Sequence, residues 1–199
     1  KTWFGKLLTW ILNSPQGQEE ARQANNHSTA HDAQVIAFAM YAGNMKVARE
    51  VINAIPRKRL FTQIEPDGKQ PHELRRTLAF GYSQFNLSHF IDIFMMARKI
   101  GISIDNATSE DGRSFYKAMD FLVPYVGKDV KAWPYQQISE WKYKQQEFCK
   151  DLYRTFLLNP ERKDYLKLYK THRIIDWKDR FNLLWMEADD VDNAYAFAC

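Results

Sequence analysis

Cysteine is nearly absent from this chain: Cys149 and Cys199 are the two among 199 residues. Two cysteines cannot build a disulfide framework, and a single bridge or two free thiols are equally open. No Cys-x-x-Cys pair, no His-Glu-x-x-His run and no Walker-type glycine loop occurs. Zinc ribbons, zincins and P-loop sites therefore lose their usual signatures. Long apolar runs are missing as well. The stretch 91–97 is interrupted by Asp92, far short of the ~18 residues of a membrane span. The start, Lys1-Thr2-Trp3-Phe4, has neither the apolar stretch nor the cleavage site of a signal peptide, and no Met. It reads as a mature or excised piece. Strand signals are scarce, and no two-residue hairpin stands out. With no Pro- or Ser-rich linker and no repeat, residues 1–199 read as one domain. Charge is also modest. Lys and Arg total 28 against 24 Asp and Glu, a difference of +4. That suits an anionic partner without requiring nucleic acid.

What the chain does have is aromatic side chains, 15% of residues, with six Trp and ten Tyr. These fill cores and also build platforms for sugars and bases. Apolar residues at 45% and charged residues at 26% exclude wholesale disorder. The dominant period is helical. Apolar stripes predict helices over 2–13, 32–42, 45–55, 87–100, 114–125 and 139–158, with a short last one over 177–187. Gly43 is a natural stop and Asn44 a natural cap for the next helix. Pro56 ends the third helix and Gly101 the fourth. Turn-rich segments such as Ser14-Pro15-Gln16-Gly17 and Glu65-Pro66-Asp67-Gly68 separate them. The class is all-α, built of paired antiparallel helices.

Two segments break this rhythm. Asn25-Asn26-His27-Ser28-Thr29-Ala30-His31-Asp32-Ala33-Gln34 gathers amides, imidazoles and hydroxyls before an apolar helix. Its plain reading is a capping region, with Ser28 or Thr29 as N-cap and Asp32 in the first turn. The second segment, 70–87, sets Arg75, Arg76 and Tyr82 among apolar residues. Its plain reading is a surface helix whose arginines pair with Glu73 and whose tyrosine is core. Arg76 and Tyr82 are six apart, so one straight helix does not stack them, and Gly81 suggests a bend.

Together the segments offer an amide, an imidazole, a guanidinium and a phenol. That set suits removal of a proton next to a carboxylate. Negative charge builds on the carboxylate oxygens, and each donor aimed at it is worth ~3 kcal/mol by analogy with oxyanion holes. A phenol ordinarily titrates near 10, so a tyrosinate base at neutral pH needs roughly 4 kcal/mol of stabilisation. Neighbouring Arg and His charges act in that direction.

The run Asn25-Asn26-His27 resembles the Asn-Asn-His motif of the alginate lyase-like polysaccharide lyases. So do Pro66-Asp67-Gly68-Lys69-Gln70-Pro71-His72-Glu73-Leu74-Arg75-Arg76-Thr77 and Tyr82-Ser83-Gln84-Phe85-Asn86-Leu87, which follow about fifty residues later. Trp133-Pro134-Tyr135 resembles a downstream Trp-Pro-Tyr motif. The resemblance covers most of 3–138. It implies an incomplete (α/α) toroid, of which this chain would be the C-terminal portion of the catalytic domain. The N-terminal half of the barrel would then lie elsewhere, with another chain as one possibility.

The resemblance also assigns roles. Asn26 and His27 would neutralise the uronate carboxylate, with His27 as a base in some relatives. Arg76 would support the charged intermediate, with Arg75 as the alternative, and Tyr82 would be the catalytic phenol. Asn25, His31 and Gln70 would shape the site. Trp133 and Tyr135 would stack on a sugar or plug a loop. No metal and no cofactor is implied. The substrate would be an acidic polysaccharide, mannuronate-rich alginate ahead of glucuronan, in the periplasm or outside the cell. Neither a membrane nor nucleic acid is an expected partner. The competing reading is a non-catalytic helical domain that binds such a polymer. The cluster Arg57-Lys58-Arg59 reads as a solvated face.

Overall fold

The computed structural model describes residues 2–174 and 179–181. Among the described residues these α-helices run in order: α1 (Thr2–Asn13), α2 (Pro15–Arg22), α3 (Asn26–Ala42), α4 (Met45–Ile55), α5 (Phe61–Gln63), α6 (Pro71–Leu74), α7 (Ala79–Lys99), α8 (Phe115–Leu122), α9 (Trp141–Leu158) and α10 (Lys163–His172). Among the described residues, isolated bridges at Leu78–Gln137 and Thr108–Ser114 take the place of any sheet. The all-α class holds.

The helices form a layered wall. Helices α3, α7 and α9 lie side by side, and a shorter helix backs each: α4 on α3, α8 on α7, α10 on α9. The turn from α3 to α4 works as its residues predict. Gly43 takes the left-handed backbone (φ 88°) and the Asn44 side chain accepts from the Val47 N–H. One large core fills the space between the layers, with Phe80, Phe90, Phe94, Phe115 and Phe148 fully buried. Each such ring removed from water stabilises the fold by about 1.5–3 kcal/mol. A smaller cluster of Leu8, Ile11, Val35, Ala39 and Ala48 ties α1 to α3 and α4.

Several boundaries differ from the apolar pattern. Helix α3 begins at Asn26, two turns before the predicted 32, because its first turns bury Asn26, Ser28, Thr29, His31 and Asp32 instead of apolar residues. The N-cap is Asn25, not Ser28 or Thr29. Helix α7 begins at Ala79 instead of 87 and runs unbroken through Gly81, so the break between Arg76 and Tyr82 falls in the loop 75–78 and not at Gly81. Ser14 to Gly17, which read as a turn, instead open a helix, α2, with Ser14 as N-cap and Pro15 at its first position. Helix α10 has no counterpart among the apolar stripes. The predicted helix 177–187 lies largely outside the described residues, as does Cys199. Cys149 is a free, buried thiol. Arg59 is not on a solvated face. It is buried, with Nε donating to Asp32 Oδ2 at 2.7 Å and Nη2 to the Ala21 carbonyl at 2.8 Å.

Candidate active site

Helix α3 opens with polar residues, several of them buried. Asn25 caps the helix by accepting from the His27 N–H at 3.3 Å. Asn26 and His27 thus occupy the first turn, at the positive end of the helix dipole. The Asn26 backbone N–H and its Nδ2 donate to the two oxygens of Glu73, both at 2.7 Å. Asn26 is 3% exposed and Glu73 1%. Burial raises the Glu73 carboxyl above its usual range, and the two Asn26 bonds, with Arg76 and His72 nearby, only partly offset this. The Asn26 amide is thereby oriented: its nitrogen, not its oxygen, faces Glu73.

Buried amides brace this turn from behind. Gln63 on α5 accepts from Thr29 Oγ1 at 3.0 Å and donates to Ser28 Oγ at 3.1 Å. Asn86 on α7 donates to Gln63 Oε1 and to Gln70 Oε1, at 2.9 and 2.8 Å. Gln70 donates in turn to the Ser83 carbonyl at 3.1 Å. A network of this kind is stable because nearly every member is paired.

His27 projects outward from the same turn. Its Nδ1 lies 2.8 Å from Glu20 Oε2 of α2. A carboxylate there holds a proton on Nδ1. Helix α2 reaches this position because Gly17 packs against α1. A Cβ on Gly17 would stand 1.9 Å from the Ile11 carbonyl oxygen. One turn further along α3, His31 Nδ1 lies 3.2 Å from Asp32 Oδ1. Burial pushes the Asp32 carboxyl up, but hydrogen bonds from His31 and Arg59 outweigh it and hold the group below its ordinary value.

Arg76 and Tyr82 meet without the helix bend. Arg76 sits in the loop before α7, and its guanidinium carbon lies 4.0 Å from the centre of the Tyr82 ring. Arg75 points elsewhere. It is exposed, with Nε donating to the Pro71 carbonyl at 3.2 Å and Nη2 lying 2.9 Å from His72 Nδ1. Asn26, His27, His31, Arg76 and Tyr82 all line one pocket of about 450 Å³, with Trp10 and Phe85 among its apolar walls.

Residues 1–133 match the family model of the alginate lyases. The chain belongs to the alginate lyase family. The fold is similar to the crystal structure of an alginate lyase from Bacteroides ovatus, with a TM-score of 0.89 and 46% identity over 94% of this chain. The match takes in 49% of that protein, so this chain spans about half the length of that solved structure. Among curated proteins, none matches.

A larger cavity of about 630 Å³ adjoins the pocket, sharing Ala30 and Gln34. Its walls are mainly apolar, including Ala33, Phe38, Met95 and Leu157; of its charged residues Asp92 pairs with Arg154 and Arg98 with Asp105, and Lys99 lies beside them. The smaller pocket is the better candidate for a family of lyases, because the amide, imidazole, guanidinium and phenol converge there. Among the described residues, no cluster of three His, Cys, Asp or Glu side chains is placed to hold a metal ion.

The remaining expected residues fall outside the pocket. Asn25 serves as cap and Gln70 as brace. Trp133 is 5% exposed and packs edge-on against Phe80 and Tyr125. Tyr135 lines a separate hollow with Lys69, Pro71, Leu74 and Arg75. Of the two readings for Trp133, the structure places it in the loop-plugging position. Sequence reasoning missed Glu20, Glu73, Trp10 and Phe85. For Glu73 a signal exists, since it lies inside the Pro-Asp-Gly segment, but in sequence it reads as a surface partner of the arginines. Glu20 carries none, because its segment shows no apolar stripe.

Proposed function

We propose that this chain carries the catalytic residues of a polyuronate lyase that cleaves 1,4-linked, mannuronate-rich alginate by β-elimination. The observation that carries the reading is the stacking of Arg76 on Tyr82 in the same pocket as Asn26 and His27. The uronate carboxylate accepts from the Asn26 amide beside the His27 ring, at the positive end of α3. The Tyr82 phenolic oxygen, beside the stacked Arg76 charge, takes the C5 proton as general base. The C5–H electron pair becomes the C4=C5 bond as the C4–O4 bond breaks. In mannuronate and glucuronate the proton and the leaving oxygen lie on one side, so Tyr82 returns the same proton to O4. The product carries a 4,5-unsaturated non-reducing end.

Family membership favours action in the periplasm or outside the cell, and among the described residues no helix is long and apolar enough to cross a membrane. The rest of the cleft would come from the part of the protein that corresponds to the other half of the Bacteroides ovatus chain. The test uses the full-length protein on polymannuronate, polyguluronate and glucuronan, following the unsaturated product at about 235 nm. A rise on polymannuronate that Tyr82→Phe abolishes supports the reading. A rise on glucuronan alone transfers it to that polymer. No rise on any of them, from folded protein, ends it and leaves a binding domain.

A further inference from the structure

A second space opens beside Tyr82. It holds about 240 Å³ and is lined by Leu78, Gly81, Tyr82, Phe85, Glu140 and Lys144. Tyr82 and Phe85 also line the reaction pocket, so the two spaces meet at these rings. We propose that this space is the subsite for the uronate next to the reacting one, and that Lys144 pairs with its carboxylate. The proposal rests on the lyase reading and adds a specificity-determining residue to it.

The segment before α9 is tied to the start of α7: the Ala79 N–H donates to the Gln136 carbonyl at 3.0 Å and the Ile138 N–H to the Thr77 carbonyl at 3.1 Å. The Gln137 side chain accepts from the Phe80 and Gly81 N–H groups at 3.0 and 3.3 Å. These bonds hold the first turn of α9, and Lys144 with it, against the turn that carries Tyr82.

Gly81 then decides where the lysine lies. A Cβ at Gly81 would stand 3.1–3.2 Å from three stem carbons of Lys144. Without it, the stem crosses α7 directly beside Tyr82, its apolar part covered and its ammonium at the pocket edge. The ion-pair partner of that ammonium, Glu140, stands 3.9 Å away, beyond hydrogen-bond reach. The Tyr143 ring centre lies 5.0 Å from it. Glu140 is half exposed and can turn to solvent when a substrate carboxylate arrives. A 1,4-linked polyuronate carries one carboxylate on every ring. Whichever neighbouring ring fills this space therefore brings the charge that Lys144 lacks at close range, and a direct charge-assisted bond replaces a loose contact.

The test combines kinetics with direct binding in the full-length protein. Lys144→Met keeps the stem over Gly81 and removes only the charge. It is expected to raise KM on polymannuronate about tenfold, with the smaller part of the loss in kcat. Lys144→Arg is expected to restore most of it. In the Tyr82→Phe background, Lys144→Met is expected to weaken binding of a short saturated oligomannuronate by a similar factor, read by calorimetry. If Tyr82→Phe abolishes cleavage while Lys144→Met changes neither KM nor binding, the subsite falls and the lyase stands. If the unsubstituted protein cleaves nothing yet binds the oligomer through Lys144, the subsite stands and the lyase falls.

Discussion

At the residue scale, the site depends on which of two adjacent arginines faces the tyrosine. In sequence Arg75 and Arg76 are alternatives because both fit a loose motif spacing. The structure separates them by a stacking contact: Arg76 lies over Tyr82, and Arg75 turns to His72. Arg76→Ala is therefore expected to lower kcat on polymannuronate about a hundredfold or more, and Arg75→Ala to stay within about twofold. Equal losses in steady-state assays would remove the stacking argument. Glu73 makes the companion case. It touches Asn26 through two 2.7 Å bonds and orients the amide. Glu73→Gln replaces one acceptor oxygen with a donor, so one of the two bonds is lost. Loss of kcat by about tenfold or more with a smaller change in KM is expected. An unchanged kcat would show that Asn26 holds its orientation unaided. The motif match makes Asn26, His27, Arg76 and Tyr82 readable. Glu73 is not, since a carboxylate beside two arginines looks the same in sequence whether it is buried or solvated.

At the element scale, apolar periodicity locates helices by the residues they bury, and it fails where those residues are polar. Helix α4 is placed because Val51, Ile52 and Ile55 mark its face and Asn44 caps its start, while Pro56 ends its regular turns by opening a π-helical turn over 56–60 instead of stopping the helical path. The first turns of α3 and α7 escape it because they bury Asn, Ser, Thr, His and Gln side chains. Those are the turns that build the site, so the gaps in the pattern and the chemistry coincide. The two glycines beside the site differ in what they face, and that gives a contrast. At Gly17 a Cβ meets backbone, 1.9 Å from the Ile11 carbonyl oxygen. Gly17→Ala must push α2 off α1, moving Glu20 from His27, and is expected to destabilise by about 1–3 kcal/mol and lower activity. At Gly81 a Cβ meets only the flexible stem of Lys144 at 3.1–3.2 Å. Gly81→Ala is expected to cost less than about 1 kcal/mol, partly offset by the helix preference for Ala. Denaturant midpoints for both variants test the ordering, and a Gly81→Ala loss as large as that of Gly17→Ala would contradict it.

At the scale of the whole molecule, composition and periodicity make the all-α class legible, but they carry no sign of how pH acts on the fold. That depends on carboxylates whose burial appears only once the helices pack. Asp151 on α9 is 2% exposed. Burial pushes its carboxyl up to about 6, against the Arg154 charge and the hydrogen bond that Gln84 donates at 2.6 Å, with the nearby Asp92 charge adding to the rise. A carboxyl raised in the fold binds its proton more tightly there than in the unfolded chain. Its contribution is thus fully present below the ordinary 3.8 and is lost as pH rises through about 6. A rise of that size corresponds to roughly 3 kcal/mol. Asp32 acts in the opposite sense. Its carboxyl is held low, so its contribution is present above 3.8 and lost as pH falls further. The two windows do not overlap, so a comparison at pH 4.5 and pH 7 isolates Asp151 from Asp32. Asp151→Asn keeps the shape and an acceptor for Gln84 while removing the titration. The unsubstituted protein is expected to lose more stability between those pH values than the variant, as read by urea midpoints. The same pH dependence in both proteins would mean that Asp151 stays ionised beside Arg154. The helix wall behind the large cavity would then owe its cohesion to that ion pair instead of to a neutral, hydrogen-bonded carboxyl.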